Sequence, residues 1–112
     1  MATALATSLL DEIRDTFALS GTELARLFGV RRQAVEQWRE RGIPSSRQEK
    51  AAAVAAVGDL LSHRLKRERI PGVARRPAPA YGGLTMLEMI EGDRQADLVA
   101  EIRRSFDWAS GS

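Results

Sequence analysis

Apolar positions recur at helical spacing along nearly the whole chain. Leu9, Leu10, Ile13 and Phe17 fall on one face of a first helix, predicted over about residues 5–18. Ser20 and Glu23 then make a Ser-x-x-Glu capping box that opens a second helix, with Leu24, Ala25 and Leu27 or Phe28 facing inward. Gly29 ends that helix, because the sharp left-handed turn needed there is easiest for glycine. A third, short helix over about residues 31–39 buries Val35 and Trp38, three positions apart. Gly42-Ile43-Pro44 interrupts the pattern, and Ser46 with Glu49 reads as a second capping box for a long helix over about residues 46–66. Its stripe is Val54, Val57, Leu61 and Leu65. Gly58 in the interior costs about 1 kcal/mol relative to alanine, so either a neighbour packs closely there or the helix is locally weak.

From Pro71 to Gly83 the character changes. Three of the four prolines and Gly72, Gly82 and Gly83 fall in this stretch, which reads as a linker or an extended strap. Thr85 and Glu88 make a third capping box for a short helix carrying Met86, Leu87 and Ile90, stopped by Gly92. A final helix over about residues 93–107 presents Leu98, Ile102 and Phe106, with Val99 alongside. No run alternates with strand period. The expected fold is therefore all-α: an N-terminal helix-turn-helix bundle with a long fourth helix (residues 1–70), a Pro/Gly-rich linker or strap (71–83) and a C-terminal two-helix unit (84–112).

At 112 residues the chain is too short for a two-lobed enzyme, and 44% hydrophobic with 29% charged residues supports a folded core of modest size. The absence of cysteine removes disulfides and thiolate chemistry, which is compatible with a cytoplasmic location, and one histidine, His63, cannot build a histidine metal site or triad. No cofactor, metal or catalytic role is expected. No apolar run approaches the roughly 18 residues that span a bilayer, so no membrane partner is expected either. The net charge of +2 conceals a division. Residues 63–81 hold six bases against one acid and residues 82–112 hold three bases against six acids. A basic middle suits a polyanion such as nucleic acid, and the acidic tail faces something else. Fifteen of the seventeen bases are arginine, the side chain that bonds phosphate and guanine in bidentate fashion.

The stretch 19–44 is the most informative. Two short helices joined by a glycine turn, the second with a buried Val and Trp and an otherwise polar surface, are the parts of a helix-turn-helix. Ala25, Gly29-Val30, Val35, Trp38, Gly42 and Pro44 stand in the register of the Cro/phage-repressor (Xre) class, which this segment resembles. The resemblance implies that Arg32, Gln33, Glu36 and Gln37 face the major groove of double-stranded DNA. Their chemistry suits guanine, adenine and cytosine edges. Arg31, Arg39 and Arg41 are assigned to phosphates, with Thr22 and the start of the second helix adding a contact. Gly21 departs from the class, which often has a polar side chain there. Glu36 also admits a plainer role, an ion pair with Arg32 one turn away. The basic run Arg64, Lys66, Arg67, Arg69, Arg75 and Arg76 either adds phosphate contacts or forms a solvated helix end and linker.

The segment Gly82-Gly83-Leu84-Thr85-Met86-Leu87-Glu88-Met89-Ile90, with Gly92, Val99 and Ile102, resembles the C-terminal part of the Xre/MbcA/ParS antitoxin group, although Met86 stands where that group usually has proline. This implies a cognate protein toxin of the RES-domain type held by the C-terminal unit, with Leu98, Ile102, Phe106 and Trp108 as anchors. The expectation is thus a DNA-binding antitoxin that neutralises its toxin and represses their shared operator, as a homodimer or a heteromeric complex. A stand-alone phage-type or host regulator, dimerised by its C-terminal helices, is the other reading.

Overall fold

The computed structural model describes the backbone of residues 2–111 and the side chains of residues 9–105; Phe106 and Trp108, as side chains, lie outside the described residues. Among the described residues seven α-helices follow in order: α1 (Ala2–Phe17), α2 (Gly21–Phe28), α3 (Arg32–Arg41), α4 (Ser45–Ser62), α5 (Ile70–Ala74), α6 (Met86–Glu91) and α7 (Gln95–Gly111). Short 3-10 turns at Arg67–Arg69 and Pro79–Tyr81 fill the gap between α4 and α6. Among the described residues there is no strand, and the fold is all-α.

The core is one continuous apolar cluster. Leu10, Ile13 and Phe17 of α1 pack with Val54, Val57 and Leu61 of α4, and α1 also lies against α3 and α5. Helix α2 is held between α3 and α6, and α7 lies along α4 and α6 with Leu98 and Ile102 turned inward. No described polar or charged residue is buried as a whole, so the centre of the interior is apolar.

Two of the three expected capping boxes form. Ser20 Oγ accepts the Glu23 amide at 3.1 Å while the Glu23 carboxylate accepts the Ser20 amide at 3.0 Å. Thr85 and Glu88 do the same at 3.0 and 2.9 Å. The box expected at Ser46 and Glu49 does not form. Pro44, with φ −57°, is the N-cap of α4, and its carbonyl accepts the Arg47 amide at 2.8 Å. That puts Ser46 inside the first turn, where its hydroxyl is no longer placed to cap.

Helix α4 is also shorter than its apolar spacing suggests. The Ser62 hydroxyl donates to the Asp59 carbonyl at 2.7 Å, and His63 Nδ1 meets the same oxygen at 2.7 Å. Side chains thereby take the acceptor that the next helical amide would use, and the helix stops at Ser62. Gly58 has a packing reason: a β-carbon there would lie 3.0 Å from Thr16 Cγ2 of α1.

The stretch 71–83 contains the end of α5, up to Ala74, and the 3-10 turn Pro79–Tyr81, joined by a short non-helical segment in which Ala78 is extended. Pro71 occupies the first turn of α5, where its missing N–H is not needed, and so starts a helix instead of breaking one. Ile70, Ala74 and Tyr81 are buried in the common core. Burial, followed by the nearby Glu101 carboxylate, pushes the Tyr81 phenol above its ordinary pKa.

Candidate nucleic-acid interface

The geometry of α2 and α3 is set by their apolar faces. Leu24, Ala25, Leu27 and Phe28 are the buried residues of α2, and Val35 and Trp38 those of α3. The Phe28 and Trp38 rings meet edge to face, centroids 5.4 Å apart at 87°, which locks the two helices at a fixed crossing. Between them Gly29 has φ 65° and donates to the Arg26 carbonyl, and Val30 donates to the Ala25 carbonyl, both at 3.1 Å. Apart from its own chain neighbours, no described atom lies within 4 Å of the place a Gly29 β-carbon would take, so it is the backbone angle and not the space that favours glycine.

With Val35 and Trp38 turned inward, the opposite side of α3 holds Arg32, Gln33, Glu36, Gln37 and Arg41, all exposed, and Arg31 stands exposed at its N-cap. None of these six side chains is tied by a hydrogen bond or ion pair to another described residue. The plainer alternative for Glu36, an ion pair with Arg32, is therefore not made. A groove between α2 and α3 is lined by Thr22, Arg26, Val30, Arg31 and Arg32, together with Ala25 and Gly29. Thr22 is exposed at the start of α2, as expected for a contact there. The structure thus gathers Thr22, Arg31, Arg32, Gln33, Glu36, Gln37 and Arg41 on and beside one helix face.

Arg39 is set apart. Its guanidinium donates to Asp11 of α1 at 2.6 Å and is half-buried, so it ties α3 to α1 instead of standing ready for a phosphate. Arg75 likewise leaves the exposed basic run. It donates to the carbonyls of Phe17, Pro71 and Ala18 and reaches Glu23 at 3.2 Å. Glu23 is consequently held below its ordinary carboxyl pKa, chiefly by the Ser20 backbone amide and further by Arg75. Arg47 was not singled out by sequence, yet it donates to the Phe28 carbonyl at 2.9 Å and closes the C-terminal end of α2. No local signal marks such a residue, because its acceptor is 19 positions away. Lys66, Arg67, Arg69 and Arg76 remain exposed.

Leu98 and Ile102 require a correction. Both belong to the chain's own core, 0% and 2% exposed, and are not available as anchors for a partner. Apolar residues at helical spacing are equally suited to either use, and α4 and α6 are the surfaces that cover them.

Among the described residues no group of three or more His, Asp or Glu comes together to hold a metal ion, and no helix is long and apolar enough to cross a membrane. No family model, curated protein or solved structure matches the chain.

Proposed function

We propose that the chain is a double-stranded-DNA-binding regulator whose third helix enters the major groove. One observation carries the reading: α3 is fastened by Val35 and Trp38 while Arg31, Arg32, Gln33, Glu36, Gln37 and Arg41 take no side-chain partner among the described residues. Arginine and glutamine side chains without a partner among the described residues, on a helix braced by a second helix across a glycine turn, suit phosphate and base contacts. A symmetric dimer would place its half-sites about 34–36 Å apart or a multiple of that. The test is selection of duplexes from a randomised library with the full chain, followed by affinity measurements. Gln33→Ala with Gln37→Ala should relax base preference, and a chain that enriches no sequence overturns the proposal.

The finer role we propose is that of a cytoplasmic antitoxin that represses its own operator and holds a RES-type toxin. It is supported by the resemblance of residues 82–102 and by the acidic balance of that region. Its anchors are then Phe106 and Trp108, since Leu98 and Ile102 are used internally. The same burial favours a second reading, a stand-alone regulator in which α6 and α7 complete the bundle. Co-expression with the adjacent reading frame separates them. An antitoxin co-elutes with that product and loses it on Phe106→Ala with Trp108→Ala, whereas a stand-alone regulator elutes without it.

A further inference from the structure

Arg32 invites assignment as a guanine reader, but its side chain takes a different course. A β-carbon on Gly21 would lie 3.2 Å from Arg32 Nε, 3.7 Å from Cδ and 3.8 Å from Cγ. The Arg32 stem therefore runs back across the start of α2 and occupies the space that a side chain at position 21 would fill. No positive φ is required of Gly21; what a β-carbon there would do is press on Arg32, whose side chain would have to shift by a few tenths of an ångström. Beside the stem, Thr22 and Arg31 line the same groove and add a hydroxyl and a second guanidinium. When a helix-turn-helix docks, the helix before the recognition helix crosses the DNA backbone while the recognition helix meets the bases. A guanidinium lying along α2 is thus at the backbone side of the interface. Gln33, Glu36 and Gln37, spaced at i, i+3 and i+4, share the outward face of α3.

Resting on the DNA-binding reading, we infer that Arg32 is a phosphate clamp positioned by Gly21, and that base discrimination falls to Gln33 and Gln37. The departure at position 21 then has a purpose: Arg32 supplies from α3 the contact that a polar side chain on α2 would make.

The experiment uses the full chain and duplexes it selects from a randomised library. Affinities are measured on the selected duplex and each of its single-base-pair variants, across roughly 50–200 mM salt. Arg32→Ala should weaken every duplex by a similar factor, about fivefold at low salt, and reduce the slope of log K against log salt by about 0.9, the signature of one lost phosphate. Arg32→Lys should retain the slope. Gly21→Ala should weaken binding in the wild-type background and change nothing further once Arg32 is alanine. A loss of preference at one base pair, an unchanged salt slope, or an equal cost of Gly21→Ala with and without Arg32 overturns the inference. Failure to select any duplex overturns the DNA-binding reading itself.

Discussion

The Arg75 guanidinium donates to the Phe17 carbonyl at 2.7 Å across 58 residues of sequence. Phe17 is the last residue of α1, and Ala18 after it adopts a left-handed φ of 52°, so these carbonyls have left the helical ladder and need another donor. Arg75 supplies it to both, and its contact with Glu23 joins the end of α1 to the cap of α2. Arg75→Ala should destabilise the chain by about 2–3 kcal/mol, the scale of charge-assisted hydrogen bonds left unmade. Urea unfolding checks it; Arg75→Lys, without the guanidinium fork, should restore only part of the loss.

Glu23 adds a pH dependence. Its folded pKa is depressed, first by the Ser20 amide, so the folded state binds its proton less readily than the unfolded chain does. The stability this contributes is complete above the ordinary carboxyl pKa and disappears as pH falls through the lower folded value. The stability gap between wild type and Glu23→Gln should therefore be largest near neutral pH and shrink in acid. A gap that stays constant down the acid limb would contradict the assignment.

Gly58 offers a two-residue test of packing. Alanine there gains about 1 kcal/mol of helix propensity, but its methyl would press on Thr16 Cγ2 at 3.0 Å, and overpacking costs about 1–3 kcal/mol. Gly58→Ala alone should be destabilising. In a Thr16→Ser background, which removes the opposing methyl, the same substitution should become neutral or stabilising. Thermal unfolding of the four proteins reads the sign.

Leu98 distinguishes core from interface. Because it is fully buried between α7 and its neighbours, Leu98→Ala should cost about 2–5 kcal/mol in the isolated chain, with no partner present. An interface anchor would leave the stability of the free chain nearly unchanged. Comparing urea midpoints of the two proteins decides between these.

What the amino-acid sequence determined by itself is everything that acts within about one helical turn. The apolar period put Leu10, Ile13, Phe17, Val35 and Trp38 on inward faces, the boxes at Ser20 and Thr85 follow from partners three residues on, and Gly29 follows from its own backbone angle. Local signals also compete with one another: Pro44 displaces Ser46 from its capping position, and Pro71 opens a helix inside what reads as a linker. Only the three-dimensional structure decided how the arginines divide. Arg39, Arg47 and Arg75 find acceptors 28, 19 and 58 positions away, while Arg31, Arg32 and Arg41 find none among the described residues. It decided equally that Leu98 and Ile102 belong to the core. Periodicity shows which face of a helix must leave water, but the surface that covers it is supplied by distant chain, and a charge does not carry in sequence the address of its partner.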